Sequence, residues 1–164
     1  MTDTRYLAID LGAESGRAVL GRFDGARLSI TELQRFPNLP VVLPGGLHWD
    51  ALRLWAAVKD AIRQAATQHG DRLVSVGLDT WGVDFALLDR RDALIGNPYH
   101  YRDSRTDGMQ AEALRRLPRE QIFEQTGIQF IQINTLYQLL AMVVARDPAL
   151  DIAATFLTLS LIHI

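Results

Sequence analysis

Apolar residues near the start of the chain gather in short runs that are separated by tight turns. The runs Tyr6–Ile9, Arg17–Phe23 and Leu28–Phe36 predict three consecutive antiparallel strands, with Asp24–Arg27 as the second turn. Residues 37–46 are rich in proline and glycine and show no period, which predicts a loop. An antiparallel sheet is therefore expected at the beginning of the fold.

A helical period follows this loop. Asp50 is placed to accept hydrogen bonds from first-turn amides, and Gly70 is expected to end the helix in the left-handed conformation. The apolar stripe of this helix is predicted to contain Ala51, Leu54, Trp55, Val58, Ile62 and Ala65. Short apolar runs at Leu73–Leu78, at FALLD and at Leu94–Gly96 predict further strands.

The last third of the chain is predicted to be helical. One helix is expected at about residues 106–117, a second from Pro118 to near Gly127, and a third from the N-cap Asn134 to Arg146. The apolar face of that third helix is predicted to be Leu136, Leu139, Leu140, Val143 and Val144. The order of strands and helices predicts a mixed α/β fold.

Composition narrows the possible functions. The 164-residue chain has a net charge of −2 and no basic block, so nucleic acid is not an expected partner. It has no cysteine, which excludes disulfides and thiolate metal sites, and its four histidines lack metal-ligand spacing. No secretory signal pattern and no apolar run long enough to span a bilayer is visible, so a cytoplasmic protein without membrane contact is expected.

The segment DLGAESGR joins the first two predicted strands. It is neither a Walker A loop nor a dinucleotide fingerprint, because it has no lysine and a strand follows it. Gly12 and Gly16 would let the backbone approach a phosphate, while Ser15 would add a hydroxyl and Arg17 a cation. Asp10 would hold Mg²⁺ through water. An ordinary hairpin whose aspartate caps the turn is the alternative.

The segment GLDTWGVDF places polar residues and glycine inside a strand. Trp81 would pack against a sugar ring, and Gly82 would let a hydroxylated ligand reach the main chain. Asp79 and Asp84 would accept hydrogen bonds from hydroxyl groups. The alternative is a β-bulge with a tryptophan in the core.

The segment YHYRDSRT crowds aromatic and charged residues before a helix. Tyr101 would supply a stacking face on the rim of a sugar pocket. In the alternative, Ser104 caps the helix and Asp103 pairs with a neighbouring arginine, Arg102 or Arg105. The residues alone do not favour either interpretation.

Taken together, these segments resemble the FGGY carbohydrate kinase family, in particular its members that phosphorylate L-rhamnulose. DLGAESGR resembles the first phosphate loop of the sugar kinase, actin and chaperone ATPase superfamily, and GLDTWGVDF, YRDSRT and TGIQF…NTLYQL carry the closer resemblance. The similarity runs from about Tyr6 to Thr158. The arginine and glutamate expected of a glycerol kinase near Gly82 and Val83 are absent, and so is the Met-His-Gly expected of a xylulokinase at about Gly82–Asp84.

The resemblance implies a truncated ribonuclease-H-like α/β domain, one of two that close over the substrates. It implies transfer of the γ-phosphate of ATP, with Mg²⁺, to the 1-hydroxyl of L-rhamnulose. Gly82 and Trp81 would contact the sugar, and Asp10 would serve the metal. The implied ATP-binding residues are Ala13, Glu14, Ser15, Gly16 and Arg17.

The resemblance also sets the expected extent of the domain. Residues 1–158 would be part of the family's N-terminal domain, and residues 159–164, LSLIHI, a non-native tail. The family's catalytic base is an aspartate in a His-Asp-Thr segment that this chain lacks. The chain alone is therefore expected to be inactive. The alternatives are a kinase for another ketose or pentulose, an actin- or chaperone-like ATPase module, and a non-catalytic binding domain.

Overall fold

The structure, a computed structural model, describes residues 3–159. These residues divide into two compact units, one of residues 3–39 with 50–81 and one of residues 40–49 with 82–159. Over the described range, none of the helices combines the length and apolar character needed to cross a membrane.

The structure confirms the mixed α/β fold class. The strands are β1 (Thr4–Leu11), β2 (Ser15–Phe23), β3 (Leu28–Pro37), β4 (Pro40–Leu43), β5 (Gly46–Trp49), β6 (Leu73–Thr80), β7 (Phe85–Leu88) and β8 (Thr155–Thr158). The helices are α1 (Ala51–His69), α2 (Met109–Arg116), α3 (Arg119–Thr126), α4 (Thr135–Ala145) and α5 (Ala149–Ile152). Short 3₁₀ turns occupy Gly70–Arg72 and Ser104–Thr106.

The first unit is a four-stranded sheet in the order β3-β2-β1-β6. Strand β1 pairs antiparallel with β2 and parallel with β6, and α1 provides the crossover that a parallel pair requires. The predicted three-stranded antiparallel start is thereby confirmed. The core between sheet and helix contains Leu7, Ile9, Leu11, Ala18, Phe36, Leu54, Val58, Ala61 and Ala65.

Helix α1 begins and packs largely as predicted but ends differently. The Asp50 carboxylate accepts a hydrogen bond of 3.0 Å from the amide of Arg53, which confirms the N-cap. Gly70 has φ −50°, so the predicted left-handed end is wrong, because the chain tightens into the 3₁₀ turn instead. The buried stripe also differs from the predicted one. Trp55 is 57% exposed, whereas Ala61, which was not in the predicted stripe, is buried.

A hairpin replaces the loop predicted at residues 37–46. Strands β4 and β5 pair antiparallel, and Gly46 takes φ +135° at their turn. The buried Asp103 carboxylate accepts a 2.6 Å hydrogen bond from the amide of Leu47. This partner is distant in sequence, so the local composition gave no sign of the hairpin.

The rest of the second unit corrects other predictions. Strand β7 pairs antiparallel with β8, which had not been predicted as a strand. The strand predicted at Leu94–Gly96 is reduced to a single bridge between Leu94 and Leu88. Asn134 occupies the N-cap position of α4, as predicted, but its side chain donates to the carbonyl of Gln129 and makes no capping hydrogen bond.

The predicted helices of the second unit are present as α2, α3 and α4. The face predicted to be apolar on α4 is only partly correct, because Val143 and Val144 are exposed. The buried residues of α4 are Tyr137, Gln138, Ala141 and Met142. The proposed tail lies outside the described residues from residue 160 onward, and the domain boundary at 158 stays a prediction.

Candidate functional site: a phosphate-type hairpin loop and a glycine turn

The β1–β2 hairpin of the first unit carries the loop that was singled out in the sequence. Its tip is closed by a 3.0 Å hydrogen bond from the Gly12 amide to the Ser15 carbonyl. Asn38, which directly follows β3 and is 3% exposed, braces the tip. Its side chain donates to the Gly12 carbonyl at 2.9 Å, and its backbone amide donates to the Glu14 carbonyl at 3.0 Å. The loop is therefore held in one shape by its own unit.

The two glycines of this loop are required by the packing of the hairpin. A Cβ atom at Gly16 would overlap the ring of Phe36, which lies in the core. A Cβ atom at Gly12 would stand 2.9 Å from the Ser15 carbonyl oxygen, closer than real Cβ contacts. Both positions must therefore lack a side chain, whatever the loop binds.

The tip of the hairpin offers two donors. Within residues 3–159, the amides of Ala13 and Glu14 donate to no other group. The Ser15 hydroxyl lies 3.4 Å from Nη1 of Arg35. Successive amides at a tight turn form the kind of concave donor set that binds phosphate oxygens. The chemistry of the loop thus agrees with its predicted role, which stays a prediction.

Asp10 and Arg17 face each other across the hairpin. They are register partners, and Oδ2 of Asp10 accepts from both Nε and Nη2 of Arg17 at 2.8 Å. The parallel register of β1 and β6 also places Asp79 beside Asp10. No group of three or more metal-ligating side chains occurs in the described part of the chain. The donor set still fits Mg²⁺, which commonly takes one or two carboxylates and fills the remaining positions with water and substrate phosphate.

The second predicted contact region divides between the two units. Trp81 is partly buried and packs against the core of the first unit, as the alternative interpretation of a core tryptophan expected. Gly82 belongs to the second unit and is exposed. A Cβ atom added there would find no heavy atom of the described residues within 4 Å. The fold itself therefore does not require a glycine at position 82.

The residues after Gly82 are fixed by a buried polar network. Val83 adopts φ +69°, an unusual conformation for a β-branched residue. Its carbonyl accepts hydrogen bonds from the Thr135 hydroxyl at 2.7 Å and from Nε2 of Gln138 at 3.2 Å. The Asp84 carboxylate, which is 1% exposed, accepts from Nε1 of Trp49 at 2.6 Å and from Gln138 at 3.2 Å. Asp84 therefore serves the interior of the second unit.

The YRDSRT segment is also largely structural. Asp103 caps the 3₁₀ turn by accepting from the Arg105 amide at 2.9 Å. The predicted helix cap at Ser104 is wrong, because α2 begins only after Gly108. Oδ1 of Asp103 lies 4.0 Å from Nε of Arg105, as the ion-pair interpretation expected. The Arg105 guanidinium lies 3.8 Å from the ring centroid of Tyr99. The buried carboxylate thus organises this segment and the β4–β5 hairpin together.

His100 contributes an aromatic face and a neutral ring. It stacks on Trp49 with ring centroids 4.0 Å apart, and its Nδ1 accepts from the Arg102 amide at 3.0 Å. Burial lowers the pKa of His100 below its ordinary value, and Arg102 lowers it further, while Asp103 opposes both. Tyr101 lies 6.1 Å from Trp49 by ring centroid, at the edge of this aromatic cluster.

Two residues that organise these regions, Asn38 and Gln138, were assigned no role from the sequence. Asn38 lies in a segment interpreted as a featureless loop, and its role depends on the distant hairpin tip. Gln138 is 1% exposed in the middle of an apolar helix. A polar residue at a position of the helical period that should be buried was the available signal for Gln138.

Comparison with known proteins identifies the family. The model of the N-terminal domain of the FGGY family of carbohydrate kinases matches residues 5–160. The chain is 38% identical to a rhamnulokinase of Bacteroides thetaiotaomicron over 148 residues, which are 90% of this chain and 30% of that protein. It is also 38% identical to a rhamnulokinase of Oceanobacillus iheyensis, covering 92% of this chain and 32% of that protein. The chain therefore spans about a third of the length of these curated relatives.

Solved structures agree on the fold. A gluconate kinase from Lactobacillus acidophilus superimposes with a TM-score of 0.79 at 16% identity, covering 94% of this chain and 31% of that one. A xylulose kinase from the same organism gives a TM-score of 0.78 at 16% identity, covering 93% and 31%. These neighbours confirm the predicted ribonuclease-H-like fold class. The match of the family model over residues 5–160 shows that this chain belongs to the FGGY family of carbohydrate kinases.

Proposed function

We propose that this chain is the N-terminal part of an ATP-dependent kinase that phosphorylates the 1-hydroxyl of L-rhamnulose. The observation that carries the proposal is its 38% identity to two rhamnulokinases over at least 90% of its length. Since the chain spans about a third of those relatives, the activity is proposed for the whole protein that contains it.

The hairpin loop supplies the nucleotide side of the proposal. The free amides of Ala13 and Glu14 and the hydroxyl of Ser15 are donors suited to phosphate oxygens. Arg17 and Asp10, which neutralise each other in the hairpin, would turn to the phosphate and to Mg²⁺ respectively. Bound Mg²⁺ would neutralise the charge that develops on the transferred phosphate.

The glycine turn supplies the sugar side. Gly82 leaves space that the fold does not use, which suits the close approach of a ketose to the main chain. Trp81 is proposed as a further contact. The base that accepts the hydroxyl proton is expected from a segment outside this sequence, and a general base contributes typically about 10²–10⁴-fold. We therefore propose that the 164-residue chain by itself is inactive.

A substrate panel tests the proposal. The whole gene product should transfer phosphate from ATP to L-rhamnulose with a higher kcat/KM than to L-fuculose, L-ribulose or D-xylulose, measured by coupled ADP release. The 164-residue chain should release no ADP under the same conditions. Preference for another ketose would overturn the rhamnulose assignment. ATP hydrolysis that no sugar stimulates would instead favour the actin- or chaperone-like ATPase module.

The metal role of Asp10 has its own test. Asp10→Asn in the whole protein should lower kcat by about 100-fold or more, because it weakens the hold on the ion that stabilises transition-state charge. Titration with Mg²⁺ should show a higher requirement in the variant. Asp60→Asn, which removes an exposed ion pair with Arg63 on α1, is the matched control and should leave kcat unchanged. Equal kcat values for the two variants would exclude a role for Asp10 in catalysis.

A further inference from the structure

We propose that Thr135 and Gln138, at the start of α4, are positioning residues that hold the Gly82–Val83 turn in the shape that receives the sugar. The inference rests on the proposed function for its sugar, and on the geometry of the second unit for its mechanism. Neither α4 residue is among those assigned to ATP or sugar from the family resemblance.

The turn holds a conformation that its own sequence disfavours. A β-branched residue at φ +69° is strained, since its side chain crowds the backbone there. Such strain persists only where surrounding contacts enforce it. Val83 directly follows the glycine proposed to contact the sugar, so this strain sits next to the binding position.

The enforcing contacts come from one turn of α4. The Thr135 hydroxyl donates to the Val83 carbonyl at 2.7 Å, and Nε2 of Gln138 donates to the same oxygen at 3.2 Å. Thr135 and Gln138 are spaced i, i+3 on the helix, so both side chains lie on the same face. Two donors on a single carbonyl fix the direction of the peptide that follows Val83.

Gln138 is itself held at both ends of its amide. Its Oε1 accepts a 2.8 Å hydrogen bond from Nη2 of Arg105, which assigns the opposite atom as the donating nitrogen. That nitrogen also lies 3.2 Å from Oδ1 of Asp84 and 3.0 Å from the Ile133 carbonyl. Gln138 is 1% exposed, so solvent cannot replace these partners.

This arrangement couples the Gly82–Val83 turn to α4 through the Val83 carbonyl. Loss of the Thr135 hydroxyl should let the Gly82–Val83 backbone relax and raise the KM for the ketose. It should leave the KM for ATP unchanged, because the hairpin loop makes none of these contacts. A purely structural role would lower thermal stability and leave both KM values unchanged.

The experiment compares Thr135→Val with Thr135→Ser in the whole protein. Valine keeps the shape and removes the donor, whereas serine keeps the donor. We expect the KM for L-rhamnulose to rise about 3- to 10-fold in Thr135→Val, as loss of one hydrogen bond allows. Thr135→Ser should stay within about twofold of the unaltered protein. Gln138→Leu should give the same selective rise in KM together with a lower melting temperature, because it also removes the hydrogen bonds with Arg105 and Asp84.

A second measurement keeps the proposal independent of the substrate. Backbone hydrogen exchange of peptides covering residues 80–86 should speed up in Thr135→Val and stay unchanged in Thr135→Ser. Unchanged exchange, or unchanged ketose KM beside lowered stability, would overturn the proposal. If the whole protein phosphorylated no ketose, the proposed function would fail while the exchange result still decided whether α4 holds the turn.

Discussion

Gly16 in the hairpin loop and Gly82 in the glycine turn look alike in sequence, but the structure gives them opposite surroundings. A side chain at Gly16 would overlap Phe36 in the core of the first unit. A side chain at Gly82 would meet no described atom within 4 Å. The first glycine is therefore explained by the fold, whereas the second is explained by nothing in the described chain.

This difference changes what each glycine says about function. At position 16 the packing alone accounts for glycine, so its presence adds little to the argument for phosphate binding. In the hairpin that argument rests on the free amides of Ala13 and Glu14 and on the pair of Asp10 with Arg17. At position 82 the fold leaves the space of a side chain unused, as it also does at Gly96, so the proposed role of Gly82 rests on the family resemblance together with that space.

The largest expected effect comes from Gly16→Ala. Overpacking a core usually costs about 1–3 kcal/mol, and here the clash is with a buried ring next to a braced strand. We expect Gly16→Ala to lower the free energy of unfolding by about 2–3 kcal/mol, measured by urea denaturation of the 164-residue chain. In a chain that already carries Phe36→Leu, Gly16→Ala should lower the free energy of unfolding by less than it does in the unaltered chain. An unfolding midpoint equal to that of the unaltered chain would mean that the Phe36 ring can move aside without loss of stability.

Gly82→Ala should show the reverse pattern. We expect its free energy of unfolding to stay within about 0.5 kcal/mol of the unaltered protein, as for surface changes without a structural partner. The kcat/KM for the ketose should fall about 10-fold or more, because a methyl group would occupy the space left for the sugar.

Gly96→Ala is the matched control for Gly82→Ala, since Gly96 lies in the same unit and a Cβ atom there also meets nothing within 4 Å of the described chain. It should change neither stability nor kcat/KM. If Gly82→Ala retained full activity, the contrast between the two glycines would lose its functional meaning.

The first unit could be predicted well from the sequence because its determinants are local. Alternation and turn residues were enough to predict β1, β2 and β3, and Asp50 capped α1 as expected. The predicted ATP-binding residues 13–17 fall on one hairpin, because the same turn chemistry that predicts the hairpin also places them together.

The second unit was harder because its order depends on contacts between distant residues. The β4–β5 hairpin is held by Asp103, and the burial of Gln138 follows from partners near residues 83 and 105. Neither relation leaves a periodic pattern in the sequence. Asp84 was likewise interpreted as an acceptor for ligand hydroxyl groups, whereas it is buried and accepts a hydrogen bond from Trp49.

The smallest effects we predict are those of acid pH on stability, and they arise from different titratable groups in the two units. In the first unit, burial opposes ionisation of Asp3, but hydrogen bonds from Arg72, Arg22 and Arg5 outweigh it and lower its pKa from 3.8 to about 2. The stability that ionised Asp3 provides is therefore complete above pH 3.8 and is lost as the pH falls toward 2.

In the second unit, the depressed pKa of His100 sets an earlier transition. Its neutral ring stabilises the fold fully above pH 6.5, and this contribution declines as the pH falls below that value. Melting temperature against pH should therefore show two separate declines. His100→Asn should remove the upper one, and Asp3→Asn should reduce the lower one, to which Asp24 and Glu112 also contribute because hydrogen bonds lower their pKa values. If either substitution flattened both declines, the two units would not respond to acid independently, and their contrast would not extend to electrostatics.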